Sequence, residues 1–201
     1  MTERTTAASV PTAKAGGTRF AAVFAITALG AFMASLDLSI VNIAFPALKQ
    51  SFSSDTQSAL TWVITGYAIA FGSLLVVAGR TADRLGAKRV FFAGLAIFCA
   101  GSVMCGLAPT LLLLDAGRVI QGAGAAAMLP ASLGLLLAAV SIGKRTQAVA
   151  LWSGVGALAV ATGPTVGALL VTWGGWRWVF FVNLPIGLVA WLGGRAVLPR
   201  T

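Results

Sequence analysis

Residues 20–48 read FAAVFAITALGAFMASLDLSIVNIAFPAL, an apolar run of 29 residues in which Asp37 is the one charged side chain. A helix rises about 1.5 Å per residue, so about 20 apolar residues cross a hydrocarbon core roughly 30 Å thick. The run is long enough to cross, and it lacks the period-two alternation of a barrel strand. It also exceeds the roughly 7–15 apolar residues of a signal-peptide core, so it reads as an uncleaved first membrane helix. Five further runs of the same kind follow, at 59–78, 90–107, 110–140, 148–171 and 178–198. The expectation is an all-α membrane protein of six transmembrane helices over 19–201, preceded by a polar, disordered cytoplasmic tail at 1–18.

Composition agrees with that reading. Hydrophobic residues make up 58% of the chain and charged residues 9%, against roughly 25% charged in soluble domains. One soluble core of this size has no room for six such runs, so they face the lipid bilayer. The net charge of +9 would suggest nucleic acid in a soluble protein, but here the basic residues sit between apolar runs. No nucleic-acid partner is expected.

Those basic residues set direction instead. Arg4, Lys14 and Arg19 precede the first span, Arg80, Arg84, Lys88 and Arg89 follow the second, Lys144 and Arg145 follow the fourth, and Arg195 and Arg200 close the chain. The opposite side holds only Lys49 and Arg177. By the positive-inside rule both termini are cytoplasmic. Trp173, Trp176 and Trp178 then fall at the outer end of the sixth span, as an interfacial aromatic belt would. Small-residue rows such as Gly122 and Gly124, or Gly154 and Gly156, are read as close-packing positions.

Three ionisable residues lie within spans: Asp37 in the first, Asp115 and Arg118 in the fourth. A charge at the centre of a membrane helix costs at least about 2.5–3.5 kcal/mol, so it marks a functional site with a partner. Counting from the span centres sets Asp37 roughly 5 Å and Arg118 roughly 10 Å to the outer side of the midplane. The depths are compatible with contact, which helix packing decides. A carboxylate that meets water alternately from each side changes its proton occupancy, whereas Arg stays charged as a fixed counter-charge. Asp115 reads as a local salt-bridge partner of Arg118 near the outer surface. Cys99 and Cys105 point to different faces and read as small buried side chains; the chain has no His. No nucleophile–base pair, metal-ligand cluster or phosphate loop is legible, so an enzyme is not expected.

Several segments resemble one family. Gly79-Arg-Thr-Ala-Asp83-Arg84-Leu-Gly86-Ala-Lys88-Arg89, expected as a short loop after the second span, is similar to the loop signature of the major facilitator superfamily, departing at Thr81 and Ala87. Leu36-Asp37-Leu-Ser-Ile-Val41-Asn42-Ile-Ala44-Phe-Pro46, Arg118-Val-Ile-Gln121-Gly122-Ala-Gly124 and Trp176-Arg177-Trp178-Val-Phe180-Phe-Val-Asn183-Leu-Pro185 resemble the fourteen-helix drug:proton antiporter branch of that superfamily. So does Trp62-Val-Ile-Thr65-Gly-Tyr67. Gly163-Pro164-Thr-Val-Gly167-Ala168 resembles the antiporter signature of helix five, with Ala168 in place of a final Gly.

The resemblance implies one half-bundle of the family, two inverted three-helix repeats, working by alternating access against a second bundle. It implies proton coupling at Asp37 and Arg118. Gly79, Asp83, Arg84, Gly86, Lys88 and Arg89 become a cytoplasmic gate, and Gly163, Pro164 and Gly167 the antiporter motif. Asn42, Gln121 and Tyr67 are expected to line the cavity. The implied activity is proton-driven export of small hydrophobic or drug-like compounds across the plasma membrane, with the proton gradient as energy source and no cofactor. Members of this branch need about twelve to fourteen helices and this chain supplies six, so a missing C-terminal half or a second copy is an expected partner. The alternatives are a non-transporting membrane-embedded remnant or interaction protein, or a half that acts only as a homo-oligomer.

Overall fold

The computed structural model describes residues 14–198. Helix α1 spans Lys14–Ser51, α2 Gln57–Leu85, α3 Ala87–Leu107, α4 Leu111–Ala138 and α5 Arg145–Gly174; α6, Trp178–Phe181, and α7, Asn183–Val197, form the last crossing. Six segments are long and apolar enough to cross a membrane, and no strand occurs among the described residues.

The ends follow local chemistry. Thr56 and Thr110 cap α2 and α4, their hydroxyls accepting from the amides of Ala59 (3.2 Å) and Leu113 (3.4 Å), which satisfies donors a helix start leaves orphaned. Gly86 is the single residue between α2 and α3. Its φ of 93° suits a residue without Cβ. The segment expected as a loop at 79–89 is therefore helical on both sides of Gly86: Gly79, Asp83 and Arg84 ride the last turns of α2, and Lys88 and Arg89 the first turn of α3. The tail expectation also changes, because α1 begins at Lys14; residues 1–13, with Arg4, and the terminal Arg200 lie outside the described residues. The sixth crossing is broken at Val182, where Pro185, having no N–H, leaves the carbonyl of Phe181 without its helical donor.

Packing is closest where side chains vanish. A Cβ on Gly124 of α4 would lie 2.5 Å from the amide of Phe98, and one on Gly94 of α3 2.7 Å from the carbonyl of Gly124. On the adjacent face of α4, a Cβ on Gly122 would lie 2.5 Å from the carbonyl of Tyr67. Glycine thus lets α4 lie backbone-to-backbone against both α3 and α2, as small residues do in membrane bundles. Gly154, by contrast, has nothing within 4 Å of its Cβ position among the described residues. The main contact of α5 is with α1, and that of α2 is with α4, each crossing from one three-helix group to the other. With α1 matched to α4 and α2 to α5, these are one contact seen twice, as two inverted three-helix repeats require.

Two apolar clusters fill the interior. One gathers Met33, Phe91, Leu95, Phe98, Met128 and Leu135, and the other Leu36, Ile40, Leu60, Leu114, Val179 and Phe180. Trp62, Ile69, Val76, Leu158 and Leu192 are exposed on the outside of the bundle. Trp173 and Trp178 are also exposed, but Trp176 is 4% exposed. Its indole turns inward, donates to Ser51 Oγ at 2.9 Å, and packs between Phe52 and Phe180. It is a core residue, not part of an aromatic belt.

Candidate functional site: a sealed ion pair between two apolar cores

At the seam between the two cores sit five polar side chains from four helices: Asp37 of α1, Ser102 of α3, Arg118 and Gln121 of α4, and Asn183 at the start of α7. Four are fully buried and Arg118 is 1% exposed. Each sits where its helix passes from one core to the other. Burying this much polarity is tolerable only if the groups satisfy one another.

They largely do. Arg118 Nη1 pairs with Asp37 Oδ2 at 2.5 Å and also donates to Gln121 Oε1 at 2.9 Å. Arg118 Nε donates to the carbonyl of Val63 in α2 at 2.8 Å. Asp37 Oδ1 accepts from Gln121 Nε2 (3.2 Å) and Asn183 Nδ2 (3.1 Å). The same two amide groups reach Ser102 Oγ, at 2.7 Å and 3.2 Å. The Tyr67 ring lies under the guanidinium, 4.3 Å from its carbon, and the Tyr67 hydroxyl donates to the Ala34 carbonyl at 3.4 Å. A guanidinium held by a carboxylate, a backbone carbonyl and an aromatic face is in a setting that only Arg fits.

Asp37 and Arg118 therefore touch, a contact that depth alone left open. Gln121 and Tyr67 join them inside the bundle rather than lining an open cavity. Asn42 does reach an exposed face, its amide donating to the Leu38 carbonyl at 2.8 Å. The expected Asp115–Arg118 bridge does not form: Arg118 turns to Asp37, and Asp115 Oδ1 is buried without a hydrogen-bond partner. Ser102 and Asn183 are site residues that the sequence did not single out. Asn183 stands inside one of the family-like segments, but Ser102 is a small polar residue in an apolar span, which gives no signal by itself. Both cysteines are free; Cys105 is buried, with Sγ 3.4 Å from Gln121 Oε1, and Cys99 is half-buried.

The antiporter-like segment meets α1 directly. Pro164 has no N–H, so the Val160 carbonyl one turn earlier lacks its helical donor. Ser39 Oγ, two residues from Asp37, donates to that carbonyl at 3.0 Å. A Cβ on Gly163 would overlap the Ser39 side chain, and one on Gly167 would press on Ile40 and Ile43. Glycine lets α5 approach α1 here, and proline supplies the acceptor. At the other end of the bundle, Asp83 and Arg84 are exposed, while Lys88 Nζ donates to the Leu198 carbonyl at 2.6 Å and ties α3 to the end of α7. An apolar groove of about 390 Å³ between α2, α3 and α4, lined by Leu74, Val77, Thr81, Arg89, Ala123 and Ala127, holds none of the buried polar groups.

Known proteins share this sequence pattern. The chain is 43% identical over 192 residues to a methylenomycin A resistance protein of Streptomyces coelicolor, covering 94% of this chain and 40% of that protein. It is 40% identical over 162 residues to the multidrug resistance protein Stp of Mycobacterium tuberculosis, covering 80% and 30%. To a tetracenomycin C resistance and export protein of Streptomyces glaucescens it is 39% identical over 171 residues, covering 85% and 32%. The chain thus spans two-fifths or less of the length of these relatives. The model of the Major Facilitator Superfamily matches residues 27–201. With six apolar crossings, the sealed polar seam and that match together, this multi-pass membrane chain belongs to the Major Facilitator Superfamily.

Proposed function

We propose that the chain is the N-terminal half of a proton-coupled antiporter that exports small hydrophobic, drug-like compounds by alternating access. The observation that carries this is the fully buried Asp37–Arg118 pair. Arg118 keeps its charge throughout, so proton uptake by Asp37 takes the pair from neutral to a net charge of +1. A net charge sealed in an apolar interior is far less tolerable than a neutral pair. Proton loading thereby favours a state in which the site opens to water, the coupling an antiporter needs. The names of the relatives, which speak of resistance and export, support the same direction and substrate class.

Alternating access needs a second bundle. The faces of α2 and α5 suit its docking, because these two helices are the least buried of the longer ones and carry Gly72 and Gly154 with open space above them. Asp83, Arg84, Lys88 and Arg89 then form the cytoplasmic gate beside that bundle. In this reading the protein lies in the plasma membrane with both termini cytoplasmic.

The test is efflux of a fluorescent lipophilic dye from proteoliposomes under an imposed pH gradient, with this half in its full transporter. Asp37→Asn should insert normally and lose gradient-driven transport. Undiminished gradient-driven transport by that variant overturns the coupling role.

A further inference from the structure

Within the polar network around Asp37, one buried acceptor is left over. Asn183 Nδ2 bridges Asp37 Oδ1 and Ser102 Oγ, while its carbonyl Oδ1, equally buried, has no donor. The amide is oriented by chemistry: a carboxylate only accepts, so the NH₂ must face it. Ser102 Oγ accepts from both Gln121 and Asn183. A buried polar atom without a partner is rare and demands an explanation.

We propose that Asn183 is a proton-responsive switch whose side-chain amide turns over when Asp37 is loaded. The inference rests on proton coupling at Asp37. When water delivers a proton to Asp37 Oδ1, the carboxylate becomes a carboxylic acid, and its new O–H needs an acceptor where it previously faced a donor. Rotating the Asn183 amide by half a turn presents Oδ1 to that O–H. The Ser102 hydroxyl, which until then accepts from Asn183, donates its own proton to the same Oδ1 and still accepts from Gln121. The bond to Arg118 persists on Oδ2. The unpaired carbonyl of the unloaded state becomes the acceptor of the loaded state, while the NH₂ turns to the side the carbonyl leaves.

The position of Asn183 links the switch to movement. It is the first residue of α7, directly after the break at Val182, where the sixth crossing already lacks a helical bond at Pro185. A change at this amide acts at the weakest point of that crossing. Gln121 Nε2 also faces Asp37 Oδ1, but Gln121 Oε1 already accepts from Arg118 and Cys105, so of the two amides only Asn183 has a carbonyl without a donor. The neighbouring elements bring Arg118 from α4, Tyr67 from α2 beneath Arg118, and Cys105 from α3 against Gln121; Asp115 lies one turn outward on α4. Helix α5 carries no charged residue beyond Arg145, and α7 none but Arg195 at its far end.

The chain contains two asparagines, Asn42 and Asn183, so isotope labelling of asparagine side-chain amides resolves both, with Asn42→Gln assigning them. The protein is reconstituted in lipid bilayers and titrated from alkaline to acidic pH. Infrared difference spectroscopy follows the carboxylic C=O band that Asp37→Asn removes, and solid-state NMR follows the amide signals. The expected result is that the Asn183 amide signal shifts with the same midpoint as the Asp37 band while Asn42 stays still. In Asn183→Leu, the Asp37 band should move to higher frequency because the acid has lost its acceptor. An Asp37 band that appears while the wild-type Asn183 amide does not change overturns the switch and leaves proton coupling standing. Absence of any Asp37 band across the titration overturns proton coupling and the switch together. The labelled wild type is enough to tell these outcomes apart, even if Asn183→Leu does not fold.

Discussion

Ser39 of α1 donates its hydroxyl to the carbonyl of Val160, the one carbonyl of α5 that Pro164 leaves without a helical donor. A proline in one helix has thereby created an acceptor for another, two residues from the buried carboxylate of Asp37. Loss of this clasp should be modest in stability, because interhelical bonds in membranes average about 0.6 kcal/mol and reach about 1.7. Ser39→Ala should destabilise by an amount in that range in a detergent unfolding titration, and Ser39→Thr, which keeps the hydroxyl, should restore it. Equal stability of the Ala and Ser proteins would show that water or lipid satisfies Val160 as well.

The Asp37–Arg118 pair should behave as a unit. Asp37→Asn leaves Arg118 charged and buried without its counter-ion, which costs about 3–5 kcal/mol in buried pairs. Combining it with Arg118→Gln removes the orphaned charge and should recover most of the loss. Unfolding of the two single variants and the double variant measures this coupling; simple additivity would contradict the pairing. Arg118→Lys keeps charge but loses the Nε bond to Val63 and the fork, so gradient-driven efflux should fall at least about tenfold.

Two glycines of similar appearance in sequence should part company. Gly124→Ala drives a Cβ to 2.5 Å from the Phe98 amide, and overpacking of this kind costs about 1–3 kcal/mol. Gly154→Ala meets open space and should be neutral or stabilising by up to about 1 kcal/mol through helix propensity alone. Thermal unfolding of both variants in detergent checks the contrast. A second bundle docked on α5 would add a penalty to Gly154→Ala only in the assembled transporter.

Asp83 separates a gate from a topology signal. It is exposed on the last turn of α2, so Asp83→Asn should change the folding stability of this half by no more than about 0.5 kcal/mol. Acids contribute little to orientation, so topology should also be unchanged. A gate role instead predicts altered cysteine labelling of inner and outer cavity positions in the full transporter, together with reduced efflux. Unchanged labelling and unchanged efflux would leave Asp83 as a surface charge.

Hydropathy, span length and the distribution of Lys and Arg belong to one helix at a time, which is why six crossings and the intramembrane positions of Asp37 and Arg118 were legible in the sequence. Helical rise converts residue count into distance, which left contact between Asp37 and Arg118 possible. Partners were not legible. Whether Arg118 turned to Asp115 on its own helix or to Asp37 on another depended on how closely α4 approaches α1, α2 and α3. The same dependence hid the inward turn of Tyr67, Gln121 and Trp176, the role of Ser102 as a shared acceptor, and the leftover carbonyl of Asn183. The sequence alone determined which helices exist and which charges they carry through the membrane. The rotation of each helix about its axis was decided by tertiary packing, where Gly94, Gly122, Gly124 and Gly163 remove the side chains that would keep backbones apart, and that rotation selects which polar groups meet.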